Sequence, residues 1–132
     1  MSNGFNTPQE IAQNLLAVGK KKCTLNFLSV ILLGILAGAY IGFGAELMTM
    51  VTHDLAKVVG TGFARFMGGA TFSVGLMLVV IGGAELFTGN NLIMTGVIKG
   101  EISWIDMLKN WIVVYLANFA GSLLLVYIMY YS

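Results

Sequence analysis

The chain has 132 residues, of which 58% are apolar and 10% carry a charge, and its mean hydropathy is +0.86. So apolar a composition is typical of an integral membrane protein. Seven basic and six acidic residues leave a net charge of +1, which excludes the strongly basic surface that nucleic-acid binding requires. The one cysteine, Cys23, excludes an intrachain disulfide, and no Cys/His set has the spacing of a metal site.

Residues 1–22 read as a cytoplasmic amphipathic helix followed by a basic anchor. Thr7, Pro8 and Glu10 have the spacing of a helix N-terminus, because Thr caps the helix, Pro suits its first position and Glu completes a capping box. Gly19 is the predicted end of this helix. The helix could gate a pore mouth or only anchor the N-terminus at the membrane surface. Anchoring is favoured, because amphipathicity alone does not indicate gating.

A first membrane span is predicted over residues 24–51, a run of 28 residues that contains one charge. The run is too long for the apolar part of a signal peptide, so we expect the span to be retained. Gly34, Gly38 and Gly42 recur every four residues and predict a face that packs closely against another helix. The charge is Glu46, for which a structural partner in the bundle is favoured over a transport role because it lies near the end of the span.

The connection that follows holds four titratable or charged residues, His53, Asp54, Lys57 and Arg65. His53 has no second His or Cys at ligand spacing. A solvated loop histidine is therefore favoured over a metal ligand or a proton relay.

The second apolar segment, residues 66–98, is interrupted near its middle by GAELFTGNN, residues 83–91. A continuous helix of this length would extend about 50 Å, against a hydrocarbon core of about 30 Å. Two half-helices joined by a polar loop fit better, and irregular backbone at membrane depth is tolerated only beside protein or a water-filled cavity. The free N–H groups of such half-helices would favour an anion. The interruption therefore predicts a pathway.

The interruption combines polar side chains with flexible backbone. Its polar residues and glycines are Glu85, Thr88, Asn90, Asn91, Gly83 and Gly89. Thr88 adds a neutral hydrogen-bond donor. The alternative is a kinked helix in which Glu85 and the asparagines only hold the bundle together, but broken helices more often mark transport sites.

A third span is predicted over residues 104–131, with aromatic residues at both ends that are typical of membrane interfaces. Asn118, Gly121 and Ser122 give it a small or polar face that suits a helix contact. Residues 23–132 thus form one transmembrane unit. The basic residues expected on one side are Lys20, Lys21, Lys22, Lys99 and Lys109, and those on the other are Lys57 and Arg65. This asymmetry predicts a cytoplasmic N-terminus.

The motif GAELFTGNN in a broken second span, after a glycine-rich first span, closely resembles the formate/nitrite transporter family. Members of that family carry formate, nitrite or hydrosulfide. The resemblance implies an all-α integral membrane protein with an aquaporin-like helical bundle of six spans, built as two inverted three-span repeats, and this chain corresponds to the first. It also implies a homopentamer in the cytoplasmic membrane with one pore per protomer. A second three-span half would belong to the same full-length chain or to a partner fragment.

The resemblance also implies roles for single residues. It implies that hydrophobic slits close the pore and that these are formed in part by Phe72, Leu76, Leu86 and Phe87. Thr88 would provide a hydrogen-bonding site between the slits. Asn90 and Asn91 would lie in or just after the loop that breaks the helix. The family's central histidine and its vestibule lysine belong to later spans, and His53 matches neither role.

The implied function is a channel or transporter for a small monovalent anion, which crosses the apolar slits as a neutral acid after sharing a proton. Protons and membrane lipid are the other expected partners, and no cofactor, metal or nucleic acid is expected. No nucleophile–base pair or phosphate-binding loop indicates an enzyme. The alternative function is a non-transporting membrane scaffold or assembly subunit.

Overall fold

The computed structural model describes residues 4–132, which are 84% helical without a strand in that range. In chain order the helices are α1 (Pro8–Thr24), α2 (Phe27–Thr52), α3 (Leu55–Val59), α4 (Thr61–Ile81), α5 (Phe87–Asn90), α6 (Met94–Ile98) and α7 (Trp104–Tyr131), and a 3-10 turn over Asn91–Ile93 joins α5 to α6.

Helix α1 begins with the predicted capping box. The Thr7 amide donates to Glu10 Oε2 at 2.6 Å, and the Glu10 amide donates to Thr7 Oγ1 at 3.3 Å. The pKa of Glu10 is lowered because its carboxylate accepts hydrogen bonds from the Thr7 amide and from the Thr7 hydroxyl, the latter at 2.9 Å. The predicted end at Gly19 is wrong, because α1 continues to Thr24. Gly19 is instead a buried position inside the helix, where a Cβ would make an ordinary van der Waals contact 3.4 Å from Ile102 Cδ1.

Helix α2 is the central helix of the bundle and packs along both α4 and α7. The predicted glycine face contacts α7. A Cβ on Gly34 would come 2.6 Å from the Cβ of Ala117, and one on Gly38 would overlap the carbonyl oxygen of Asn118. Gly121 of α7 meets the α2 backbone in the same way, against the carbonyl of Ile35. The predicted close packing at this face is therefore confirmed.

The connection between the first two spans is shorter than the sequence predicts. Helix α3 occupies part of it, and α4 begins at Thr61, so Arg65 lies inside a helix and not in a loop. The chain turns at Gly60, whose φ of +83° favours glycine. His53 ends α2 as an exposed side chain, with Nε2 2.8 Å from Asp54 Oδ2.

Three helices, α2, α4 and α7, are long and apolar enough to cross a membrane. This confirms the prediction of an all-α membrane protein with three spans. Helix α4 has 21 residues and is about 31 Å long at about 1.5 Å per residue, but it ends inside the bundle, where the break that follows it binds Leu33 of α2 and Asn118 of α7. Its start at Thr61 lies five residues before the predicted start of the second apolar segment at residue 66. The segment after the break, which consists of α5, the 3-10 turn and α6, has 12 residues, from Phe87 to Ile98.

Candidate functional site: the polar break after helix α4

The helix breaks between Ile81 and Phe87, and Gly83 makes the break with a φ of +62°. Few other residues adopt this left-handed conformation, which explains the glycine. Gly89 lies in α5 without a positive φ, and a Cβ there would meet no atom within 4 Å, so its backbone does not require glycine. The polar residues divide at this point, since Glu85 lies in the break and Thr88, Asn90 and Asn91 lie just after it.

Glu85 is buried, with 4% of its surface exposed. Its Oε1 accepts a hydrogen bond from Lys22 Nζ at 2.8 Å, and its Oε2 accepts one from Asn90 Nδ2, also at 2.8 Å. Lys22 is at the end of α1, so this ion pair joins the amphipathic helix to the break. A buried carboxylate is stable only when it is paired and hydrogen-bonded, and both conditions are met here.

Asn90 is completely buried and joins the break to α7. Its Nδ2 also donates to Asn110 Oδ1 at 2.7 Å, and its carbonyl accepts a hydrogen bond from Trp111 Nε1 at 2.9 Å. The side chain therefore points into the bundle. These contacts favour the alternative interpretation for Asn90, in which it supports the break, over direct contact with a permeating anion.

Asn118 of α7 binds both α2 and the break. Its Nδ2 donates to the carbonyls of Gly34 and Glu85, both at 2.8 Å, and its Oδ1 accepts a hydrogen bond from the Phe87 amide at 2.9 Å. The Glu85 amide in turn donates to the carbonyl of Leu33 at 3.2 Å. The predicted free N–H groups are thus partly occupied, because the first amide of α5 is bound by a side chain.

Leu86, Phe87 and Thr88 line a groove of about 260 Å³ between α2 and α7, hereafter the α2–α7 groove. Phe87 stacks edge-on against Trp111 and Tyr115, with ring centroids 5.9 and 5.5 Å apart. Thr88 is exposed while its two neighbours are half-buried. The remaining lining residues are Gly38, Ile41, Tyr115, Asn118, Phe119 and Ser122.

Phe72 and Leu76 do not line the α2–α7 groove. Both are exposed on α4, one helical turn apart, with 37% and 51% of their surfaces accessible. Within residues 4–132, the structure therefore brings Leu86, Phe87 and Thr88 together but leaves Phe72 and Leu76 on a separate surface. Asn91 is also exposed.

A smaller cavity of about 170 Å³ lies at the α1 end of the bundle, and it is lined in part by Lys22, Lys109, Asp106 and Cys23. Burial raises the pKa of the Cys23 thiol, and the carboxylates of Asp106 and Glu85 raise it further. A raised pKa leaves less of the reactive thiolate, which is consistent with a structural cysteine. Among residues 4–132, no three His, Cys, Asp or Glu side chains are grouped closely enough to hold a metal ion.

Sequence reasoning missed the role of Lys22, which it treated as part of a basic anchor, and overlooked Asn110. The sequence does carry a signal for Asn110. The buried residues of α7 form a stripe that recurs every three or four positions, and Asn110 is one of them. A polar residue on such a stripe requires a buried partner. For Lys22 the sequence carries no comparable signal, since Glu85 is 63 positions away.

Comparisons with known proteins agree with this architecture. A family model described as Formate/nitrite transporter matches residues 9–132. The chain is 37% identical over 131 residues to a probable formate transporter of Methanothermobacter thermautotrophicus, covering 98% of this chain and 48% of that protein. It is 34% identical to the formate channel BtFdhC of Bacillus thuringiensis, covering 93% and 48%, and 35% identical to the formate channel FocA of Escherichia coli K12, covering 95% and 44%.

The chain thus spans about half the length of the curated relatives that it matches. Both the family and these relatives are transporters or channels and not enzymes. The match covers all three spans and the polar break. The chain therefore belongs to the formate/nitrite transporter family.

Proposed function

We propose that this chain forms one wall of a channel for small monovalent anions, with formate as the first candidate substrate and hydrosulfide and nitrite as the others. The names of the relatives support formate. The observation that carries the proposal is the exposed Thr88 beside two apolar side chains, in a break that buried polar contacts hold in shape.

The proposed mechanism is electrostatic. An anion is attracted to the mouth of the pore and accepts a hydrogen bond from the Thr88 hydroxyl. It then takes up one proton from the aqueous solution and crosses the apolar constriction as the neutral acid. Leu86 and Phe87 form part of that constriction, whereas Phe72 and Leu76, on a separate surface of α4, contribute to a hydrophobic slit outside the α2–α7 groove. A neutral permeant avoids the cost of several kcal/mol for placing an ion in an apolar slit.

We propose further that the pore is completed by a second three-span half and that five such pores assemble in the cytoplasmic membrane with the N-terminus inside. The basic residues near α1 and α6 support this orientation by the positive-inside rule. Most of the surface of α4 and α7 is not covered by other helices of this chain, which is consistent with further packing in the membrane.

The test is formate flux into liposomes that contain the complete assembled protein, compared with its Thr88→Val variant. Valine keeps the shape and removes the hydroxyl, so we expect flux to fall about tenfold or more, as for a lost hydrogen bond to a charged group. Thr71→Val is the matched control, because the Thr71 hydroxyl donates to the Met67 carbonyl of its own helix. Unchanged flux and pH dependence in Thr88→Val would remove the threonine from the mechanism.

The second candidate is a non-transporting scaffold, and the buried contacts of Glu85, Asn90 and Asn118 would serve it equally well. The same assay separates the two functions. A folded, complete protein that passes none of formate, nitrite and hydrosulfide would establish the scaffold instead.

A further inference from the structure

Glu46 is a carboxyl inside a membrane span, and it has no role in the proposed pathway as described so far. It lies nineteen residues beyond Phe27 on α2, about 28 Å along the helix axis and therefore far from the Lys22 end. Within residues 4–132 it forms no ion pair and no hydrogen bond. An ionisable residue within a span is costly and by default indicates function.

Glu46 lines a cavity of about 510 Å³ between α2 and α7, hereafter the far cavity. Ile41 and Ser122 line both this cavity and the α2–α7 groove. The two spaces are therefore adjacent, with Thr88 on the α2–α7 groove and Glu46 on the far cavity.

The surroundings of Glu46 supply no counter-charge in the described range. Tyr130 of α7 is the other titratable side chain on the far cavity. On α4, which also packs against α2, the charged residue is Arg65, and it does not pair with Glu46. The ion pairs nearest along the chain join Asp54 to His53 and to Lys57, at the exposed end of α2.

We propose that the Glu46 carboxylate determines the form in which the substrate enters at this end, by repelling the bare anion and admitting the neutral acid. The inference rests on the proposed channel function. A like charge beside the path opposes the anion, whereas an uncharged permeant carries no net charge to repel. Glu46 would thus be a specificity-determining residue for protonated entry.

The test uses the complete protein in liposomes and measures two quantities, the electrogenic formate current and the electroneutral formate uptake. We expect Glu46→Gln to raise the current about tenfold, because a unit charge at close range in a partly screened site has an effect of this order. Electroneutral uptake should stay within a factor of about two of wild type, since a neutral permeant feels little of that charge. Glu101→Gln is the matched control at the opposite end of the bundle and should leave both quantities unchanged.

A second variant tests the charge without relying on Gln alone. In a protein that carries both Cys23→Ser and Glu46→Cys, a negatively charged methanethiosulfonate reagent should restore the low current, and a positively charged one should keep it high. Equal effects of the two reagents, or a current that is unchanged or lower in a correctly assembled Glu46→Gln protein, would overturn the proposal. The Glu46→Gln protein could also fail to assemble. If the current of the modified Glu46→Cys protein then does not depend on the sign of the reagent's charge, Glu46 is structural and the proposal is overturned.

The same measurements distinguish this inference from the proposed function. If wild type carries formate but the charge at position 46 has no effect, only the role of Glu46 is lost. If neither wild type nor any variant carries formate, hydrosulfide or nitrite, the channel function itself fails.

Discussion

Glu85 shows at the residue scale how a charge becomes part of a membrane protein's interior. Its carboxylate is bound on one oxygen by Lys22 and on the other by Asn90. Each partner comes from a different part of the chain, α1 and α5. The break is therefore held by side chains that are not neighbours in the sequence.

We expect Glu85→Gln to lower the free energy of unfolding by about 3 kcal/mol, because it leaves Lys22 partly buried without its counter-charge. The measurement is reversible unfolding in detergent micelles. Glu101→Gln provides the comparison, since Glu101 pairs with Lys20 in an exposed position and such pairs contribute little. Equal effects of the two substitutions would contradict the assignment of Glu85 as a structural anchor.

Asn118 illustrates what a residue pattern can and cannot reveal. The small and polar face of the third span predicts a helix contact at Asn118, Gly121 and Ser122, and the structure confirms contact with α2 at Asn118 and Gly121. The pattern does not reveal that the same amide also binds the Glu85 carbonyl and the Phe87 amide. Those partners lie more than 30 positions away, so only the folded chain brings them within reach.

At the scale of elements, the crossing of α2 and α7 depends on glycine. Backbones approach so closely at Gly38 that a methyl group would overlap the carbonyl of Asn118. Such close contact replaces the hydrophobic driving force that is absent between helices in lipid.

We expect Gly38→Ala to destabilise the bundle by about 2 kcal/mol, because overpacking of this kind forces the helices apart. Gly69→Ala is the matched control, since a Cβ on Gly69 would meet no atom within 4 Å. Thermal unfolding of both variants in the same detergent measures the difference. A similar melting temperature for the two would show that the crossing tolerates a methyl group.

Helix α1 is docked onto the rest of the bundle partly through charge. Lys20 Nζ lies 2.6 Å from Glu101 Oε2, and this hydrogen bond, followed by the charge of Lys20, lowers the pKa of Glu101 from 4.5. Because the folded-state pKa is lowered, the contribution to docking is complete above pH 4.5 and is lost as pH falls through the lower folded value.

We therefore expect α1 to loosen when the pH is taken from neutral to below the lowered pKa of Glu101, which spin labels at the exposed positions Ala17 and Ile98 would detect as a broader distance distribution. The effect should be small, because both groups are exposed and screened by salt. In Glu101→Gln the broadening should be present already at neutral pH and should not change with acid. A wild-type distribution that is the same at both pH values would show that packing of Leu16 and Gly19 holds α1 alone.

For the whole molecule, the three spans described here bury little of their apolar surface among themselves. In the most apolar 18-residue stretch of each span, at most 28% of the residues are buried by the rest of the chain. The remaining surface is available to lipid and to other helices of the proposed assembly.

We expect native mass spectrometry of the assembled protein to give about ten three-span units, two per pore and five pores, as the proposed symmetric assembly requires. Each such unit would weigh about as much as this chain, 14.2 kDa. A particle of one or two units that still carries formate would contradict the proposed pentamer while leaving the channel function intact.

The amino-acid sequence alone determined the class of the protein, the three apolar spans, the capping box of α1, the glycine face of α2 and the family. Each of these depends on local pattern: hydropathy over a window, a cap of four residues, a repeat of four, or a motif of nine. Tertiary structure alone decided that Gly19 is a packing position within a continuing helix, that Lys22 and Asn110 support the break, and that Asn90 points inward. The physical reason is that a buried charge or amide is assigned its role by its partner, and the partners here meet only when α1, the break and α7 pack together.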